Sequence, residues 1–484
     1  MKVNTDRILL IHPVGGSRDG ASNDIVRKAN MMPPIGLASI AAWVEQKGLQ
    51  ADILDCNADP ASESQLEAYI REKQPGYVGF SCTTSAFRNA AEMANQIKTW
   101  SPHTTTVVGG PHISALREKA MESAPAFDYG IWGEGEETLL ALMRGDPNDR
   151  RGLLYREGDT IHCESRRDPG IDLDQLPFPA YEKLPGYPRL YTLPIFNYPK
   201  TPNASFITSR GCPYTCSYCD RSVFGAAFRY NSAGYVYRHM QYMRDRFGVR
   251  HLNIYDDQFT LHRERVIELC QLLKEKPLGI TFNCAARPDR LDNELLQNLK
   301  AAGCWMISLG IETGDPELLK RHRRHGDLDQ LRESIRNIKR AGIRAKGLVM
   351  IGLPGETEAS IRRSMHYVHH LPIDDLNVAK FTPFPGTPLY TNIREHGTFN
   401  EDWDRMDCMH FLFIPHDLTE ERLQELFQQF YKRHALRPRT MFGYTTMLWK
   451  SPDSWKRFIA DARAFIAFAR NNRRWQSEDP STED

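Results

Sequence analysis

Between Ser209 and Asp220 the chain places three thiols, Cys212, Cys216 and Cys219, within eight residues. Three clustered thiols ask for a metal. A structural zinc site closes its tetrahedron with four ligands, usually as two separated pairs. An iron–sulfur cubane is normally held by four thiolates. Here no fourth Cys or His lies close by. On a four-iron cluster, three cysteines leave one iron open for an exchangeable ligand, and Gly211 and Pro213 shape the loop around it. A zinc loop, or three unrelated thiols, is the competing reading.

The thiols directly follow a strand-like run at 204–208, the first of six such runs. The others are 251–255, 281–284, 306–310, 347–351 and 377–381, each followed by a helical segment. Repeated strand–helix units predict a parallel barrel or half-barrel, with chemistry at the carboxyl ends of the strands. Gly248, Gly303 and Gly342 stand where helices end before the next strand, as C-cap glycines do. The strand ends carry Tyr255-Asp256-Asp257, Arg287 with Asp289, Glu312 within Gly310–Gly314, and the run from Met350 through Ile351 to Glu356. Helix capping by Asp256 and Asp257 and an ion pair between Arg287 and Glu312 are the structural alternatives. The loop at 383–388 reads as structural.

Upstream, strands at 7–12, 51–55, 77–82, 105–108 and 129–132 alternate with helices at 35–46, 64–73, 88–100, after His112 and from Glu136. That alternation predicts a doubly wound parallel sheet, which binds its ligand beyond the carboxyl ends of its strands. Those ends are small, polar or Gly-rich: 13–16 with Gly15, 81–85 with Ser81 and Thr83, Gly109-Gly110-Pro111-His112, and Gly133-Glu134-Gly135-Glu136. No G-x-G-x-x-G opens the first helix, which disfavours a dinucleotide. From 150 to about 202 the period is lost; a hairpin (152–155, 160–163) leads into a Pro-containing stretch that reads as an extended linker. After 395 the pattern is helical, at 420–434 and 453–471, before a polar end at 476–484. An apolar face at Phe458, Ile459, Ala462, Phe465, Ile466 and Ala469 lies beside Arg457, Arg463 and Arg470; a basic amphipathic helix can lie on a membrane, but packing against the barrel is expected for it.

At 484 residues the chain needs more than one core. A net charge of +1 gives no electrostatic footprint for nucleic acid or for an anionic membrane surface. Ten cysteines, scattered apart from the one cluster, suit a reducing compartment rather than a disulfide framework. Neither a signal-peptide core nor a membrane-spanning apolar run is present. A soluble, cytoplasmic enzyme is expected.

Cys-x3-Cys-x2-Cys with an aromatic residue, Tyr218, before the last Cys resembles the signature of the radical S-adenosylmethionine (SAM) enzymes. Together with 32–37, Gly109–His112 and Gly133–Glu136 upstream, the chain is similar, over roughly residues 5 to 395, to the cobalamin-binding subfamily. The resemblance implies an α/β protein: a Rossmann-like cobalamin-binding domain (1–148), a linker (149–202), a radical SAM partial (β/α)6 barrel (203–395) and a helical C-terminal region (396–484). It implies a 4Fe–4S cluster on Cys212, Cys216 and Cys219 whose open iron chelates SAM. Tyr218, Asp257, Glu312 and Ile351 would contact SAM, with Glu312 at the ribose. Gly15, Ser81, Thr83, Gly109, Gly110, His112, Gly133 and Glu134 would contact cobalamin. The axial-histidine pattern Asp-x-His-x-x-G is broken, because Leu10 stands where Asp should precede His12. His12 then lacks a carboxylate partner, His112 reads as a loop residue near the corrin, and base-off cobalt is expected. The activity implied is methylation of an unactivated carbon of a small molecule through a 5'-deoxyadenosyl radical, with electrons from a donor such as flavodoxin or ferredoxin. A cyclase or oxidase, as in anaerobic porphyrin ring closure, is the alternative, with Tyr431 near Arg433 and Arg437 loosely like that branch. A non-catalytic cobalamin sensor is the reading from a different class.

Overall fold

The N-terminal apolar runs become one sheet: strands β1 (Asn4–His12), β2 (Gln50–Asp55), β3 (Pro75–Ser81), β4 (Thr105–Gly109) and β5 (Tyr129–Ile131), all parallel, in the order β2-β1-β3-β4-β5. The computed structural model describes residues 3–16, 31–146, 148–166 and 170–460. Helices α1 (Ile35–Gln46), α2 (Leu66–Lys73), α3 (Phe87–Trp100), α4 (Pro111–Leu116), α5 (Glu118–Ser123) and α6 (Glu136–Arg144) cover both faces. Phe80, Val108, Phe87 and Ile97 build the core on one face, and Ile8, Leu10, Val107 and Leu139 the core on the other. The strand order reverses direction between β1 and β3, and such a switch point opens a crevice at the strand ends.

The hairpin read from sequence as part of the connecting segment is instead the edge of this sheet. Strands β6 (Leu153–Glu157) and β7 (Thr160–Cys163) add antiparallel to β5. Without them β5 would present an unpaired edge. The rest of the segment ties the two halves of the molecule together. Ala180 N–H donates to Ala38 O of α1 at 3.0 Å, and the Tyr191 hydroxyl donates to Asp55 at the end of β2 at 2.7 Å. On the other side, the Tyr181 hydroxyl meets the His239 ring at 3.1 Å.

The second sheet is β8 (Asn203–Phe206), β11 (His251–Ile254), β12 (Thr281–Ala286), β13 (Cys304–Glu312), β14 (Arg344–Ile351) and β15 (Asp375–Lys380), hydrogen-bonded in that order and all parallel. A short hairpin, β9 (Ser209–Arg210) with β10 (Arg229–Tyr230), brackets the thiol loop. Helices α7 (Ala233–Phe247), α8 (Arg263–Glu275), α9 (Asn293–Ala301), α10 (Pro316–His322), α11 (Leu328–Arg340) and α12 (Glu358–His370) return the chain along the outside. The core between them and the strands is made by side chains such as Val266, Leu296, Ile307, Ile335 and Val349. Beyond the half-barrel come the hairpin β16 (Gly397–Phe399) and β17 (Phe413–Pro415), then α13 (Glu420–Ala435) and α14 (Pro438–Lys450). Of the helix read from sequence at 453–471, residues 452–460 are helical and the remainder lies outside the described residues. Among the described residues no helix is long and apolar enough to cross a membrane.

Candidate functional site

Asp256, buried at the end of β11, receives the chain as it leaves β8. Its carboxylate accepts from Thr208 N–H and Thr208 Oγ1, both at 2.5 Å, and from Ser209 N–H at 3.1 Å. Asp256 therefore holds the start of the thiol loop instead of capping a helix. Gly211 follows with φ +86°, and a side chain there would collide with Ala227 O; only glycine serves both demands. Inside the loop, Cys219 N–H donates to Cys216 O at 3.2 Å and Cys212 N–H to Gly225 O at 3.3 Å. His322, at the end of α10, clamps the middle. Its Nδ1 meets Ser217 Oγ at 2.8 Å, its Nε2 meets Pro354 O at 2.9 Å, and its own carbonyl accepts from Ser217 N–H at 3.0 Å. Because Pro354 O can only accept, Nε2 carries the proton and Nδ1 accepts from the serine.

All three thiols are free. Burial pushes Cys219 up to about 12, with Asp257, Cys212 and Cys216 adding negative neighbours. Burial likewise raises Cys212, again with Asp257 and Cys216 close. Among the described residues no His, Cys, Asp or Glu side chains converge as ligands of a single metal ion. Three thiols spread on one loop, without a fourth donor, fit a multi-iron cluster better than a zinc tetrahedron.

Around the thiols stand groups from the other strand ends. The Tyr218 hydroxyl faces Glu312 and Cys216. Glu312 ends β13 in the left-handed region, φ +63°, where the β13–β14 register shifts. A side chain at Gly310 would collide with the Glu312 carboxylate, so the glycine makes its room. Arg323 Nη1 donates to Gly310 O at 2.8 Å and lies 4.0 Å from Glu312. Burial raises the Glu312 carboxyl despite Arg323. Arg287 pairs with Asp289 at 2.9 Å and stacks 3.7 Å from the Tyr214 ring centroid. Glu356 turns back on its own loop, accepting from Gly352 N–H at 2.5 Å and Leu353 N–H at 3.1 Å.

At the β1/β3 switch point lies a cavity of about 260 Å³. Leu10, Leu37, Ile40, Val107 and Leu139 give it apolar walls, and Gly79, Gly109 and Gly110 keep its floor open. Glu134, Glu136 and Arg210 form its polar end, while Val223 and Phe224 close it from the barrel side. Arg210 donates to Glu134 at 2.5 Å and to Glu136 at 2.6 Å, Arg229 also reaches Glu134, and Ser39 Oγ donates to Glu136 at 3.0 Å. A large planar ligand with an apolar arm fits such walls, since a side chain on any of those glycines would project into its space or strain the backbone.

Of the residues singled out from sequence for this region, Ser81, Gly109, Gly110, Gly133 and Glu134 line the cavity, whereas Gly15, Thr83 and His112 do not. His112 is not a loop residue: it sits in α4, fully buried, its ring 4.2 Å from that of Phe87 and 4.6 Å from that of Trp403. Nor does His12 lack a carboxylate. Asp55, on the neighbouring strand, meets its Nδ1 at 2.9 Å, although His12 does not line the cavity. At the thiol end, Cys212, Cys216, Cys219 and Asp257 are electrostatic neighbours, and Tyr218 lies between Cys216 and Glu312. Ile351 stands apart: strand alternation turns its side chain into the core, and its carbonyl accepts from Phe381 N–H at 2.9 Å. Met350, one residue earlier, packs on the same apolar cluster as Tyr218 instead. Sequence reasoning missed Arg210, Gly79 and His322. A glycine inside an apolar strand marked Gly79, but no local signal marked the other two.

A thiol-bearing parallel half-barrel joined to a Rossmann domain with a ligand cavity at its switch point is the architecture of a two-cofactor radical enzyme. Residues 206–368 match the model of the radical SAM superfamily, and residues 25–143 that of the B12 binding domain. The chain is 27% identical over 416 residues to an uncharacterized methyltransferase of Pyrococcus horikoshii, covering 84% of this chain and 89% of that protein. It is 26% identical over 401 residues to the anaerobic magnesium-protoporphyrin IX monomethyl ester cyclase of Rubrivivax gelatinosus, covering 80% and 70%. Its fold is that of the radical SAM methyltransferase TsrM from Kitasatospora setae, with a TM-score of 0.64 at 20% identity over 81% of this chain and 76% of that one. The chain belongs to the cobalamin-binding radical SAM enzymes. An iron–sulfur cluster with SAM, and cobalamin, are the cofactors of these two domains.

Proposed function

We propose that the chain methylates an unactivated carbon of a small-molecule substrate. One observation carries the reading. The thiol loop is bracketed by the residues that close the ligand cavity, Arg210 two positions before Cys212 and Val223 four positions after Cys219. A cluster held by the thiols and a corrinoid held in the cavity would then lie on either side of one short loop, as hydrogen abstraction from and methyl transfer to the same substrate would require.

In this reading Cys212, Cys216 and Cys219 hold a 4Fe–4S cluster, and the cavity holds cobalamin by its apolar arm. When bound, the pair supplies a radical initiator and a methyl carrier. The chain's own residues bind and orient. Glu312, pre-placed by Gly310 and Arg323, accepts from the ribose hydroxyls of SAM, and Tyr218, seated on the apolar cluster it shares with Met350, lies near the adenine. Asp257 faces the thiols and receives the SAM amino group. Asp256 and His322 keep the loop in register. The domain limits 203–395 and 396–484 are part of the same proposal, as is electron supply by a flavodoxin- or ferredoxin-type donor; the boundary at 148/149 moves to about 163, because the hairpin belongs to the first sheet. Tyr431, which suggested the cyclase branch, is engaged structurally: its hydroxyl accepts from Val378 N–H at 2.9 Å on β15.

The test is anaerobic. Protein reconstituted with iron, sulfide and cobalamin is given a strong reductant and SAM carrying a deuterated methyl group, and mass spectrometry follows label on the corrinoid and 5'-deoxyadenosine. Both products are expected. Deoxyadenosine without label on the corrinoid would move the assignment to the cyclase or oxidase branch. Neither product, with the cluster verified spectroscopically, would leave only a cofactor-binding role.

A further inference from the structure

Seven of the ten exposed large hydrophobic side chains among the described residues fall between 436 and 459: Leu436, Met441, Phe442, Leu448, Trp449, Phe458 and Ile459. They are not scattered. On α14, Phe442 and Trp449 are seven residues apart, as are Met441 and Leu448, so the four share one face. Phe442 is 71% exposed and Trp449 69%. The opposite face is the one that docks: Met447 and Thr440 are buried, Tyr444 donates to Asp375 at 3.2 Å, and Arg344 meets the Met447 sulfur at 3.5 Å. An apolar stripe of this kind facing outward is unusual for a surface helix, which normally turns its apolar side to the core.

The charges on α14 itself are of one sign. Arg439 and Lys450 flank it on the helix, and no Asp or Glu occurs from 436 to 450. Over 436–474 the sequence carries nine Lys and Arg, of which Arg437 is buried, against two Asp, in a chain whose net charge is only +1; four further acidic residues follow in 475–484. Aromatic and aliphatic side chains on one face, with Lys and Arg at its edge, are the makeup of a helix that lies in a membrane interface. There the apolar face enters the acyl boundary and the cations meet anionic headgroups.

We propose that α14 and the segment 452–460 dock this enzyme on an anionic lipid surface. Phe442, Trp449, Met441 and Leu448 insert, and Arg439 and Lys450 contact the phosphates. The proposal goes beyond the methyl-transfer reading and is tested by binding alone.

The full chain is sedimented with vesicles of phosphatidylcholine, with and without phosphatidylglycerol, at low and high salt. Wild type is expected to pellet with the anionic vesicles, to stay in solution with neutral ones, and to be released by salt. The Phe442→Ser/Trp449→Ser variant is expected to lose roughly tenfold or more in partitioning. Arg439→Gln/Lys450→Gln is expected to lose a similar factor at low salt only. These side chains are at the surface, and circular dichroism checks that both variants fold; should the apolar variant misfold, the charge variant decides. Wild type remaining in the supernatant, or both variants binding like wild type, overturns the proposal. So does a concentration-dependent dimer of wild type that Phe442→Ser/Trp449→Ser dissociates, which assigns the face to a second copy of the chain.

Discussion

Replacing Arg210 with Met tests how the Rossmann sheet is fastened to the barrel. Arg210 bridges Glu134 and Glu136, with 13% of its own side chain exposed and 14% and 5% of theirs. Glu134 keeps Arg229 in the variant, but Glu136 is left with the Ser39 hydroxyl and its own backbone N–H, neither of them charged. Removing one partner of a buried pair costs about 3–5 kcal/mol, most of it from the charge left behind. Adding Glu136→Gln removes that charge, so the double variant is expected to recover more than half of the loss. The pH dependence has a definite sign. Burial pushes the Glu136 carboxyl up, but the Arg210 charge and hydrogen bond outweigh it and hold it below the ordinary range. The wild-type contribution is therefore present above the unfolded value of about 4.3 and lost as pH falls through the lower folded value. In Arg210→Met burial is no longer opposed by a cation, the carboxyl shifts upward, and the penalty shrinks on acidification. Urea unfolding of the cofactor-free protein at neutral pH and near pH 5, followed by circular dichroism and tryptophan fluorescence, reads both effects. A single variant within about 0.5 kcal/mol of wild type, or a double variant no better than the single, refutes the reasoning.

Gly109→Leu has ordinary backbone surroundings, its nearest neighbours being Ile131 O at 3.7 Å and Phe80 O at 3.8 Å. It should fold yet fill the cavity, and equilibrium dialysis against cobalamin is expected to show retention falling by at least roughly tenfold. His322→Leu unties Ser217 from Pro354; about 1–3 kcal/mol is lost around the thiol loop, seen as reduced iron per chain after reconstitution while far-ultraviolet dichroism is unchanged. In acid, the buried rings of His239 and His251, both lowered to about 3 by burial, and His112, lowered to about 4, must take up protons on unfolding. Their folded values lie below the unfolded value of about 6.5, so stability is present above that pH and is lost as pH falls through the window from about 6.5 to about 3. Urea midpoints measured across that range are expected to fall steadily.

The parts of the site visible in sequence were those encoded within a few residues. Thiol spacing, the glycine pairs at strand ends, and the Gly310-x-Glu312 step are local, because a loop around a ligand or a left-handed residue is a local demand. Strand and helix positions were legible for the same reason, through burial alternation and C-cap glycines. What could not be read was pairing across the fold. His12 meets Asp55 from the next strand, so a broken local motif concealed an intact pair. His112 was misread because part of what buries it, Trp403, comes from the far end of the chain. The hairpin at 152–163 resembled linker because its strands are short, and only the open edge of β5 gives it a sheet to join.

The cavity at the switch point has walls from two separately built bodies, the sheet with its helices on one side and Arg210, Val223 and Phe224 on the other. Whatever fills it is part of the adhesive between them. Occupancy and domain docking are then reciprocal: a ligand at 100 times its dissociation constant adds about 2.7 kcal/mol to the joined state, and any change that loosens the joint weakens the ligand by the same factor. Corrinoid supply would thereby set how firmly the radical-generating barrel is held.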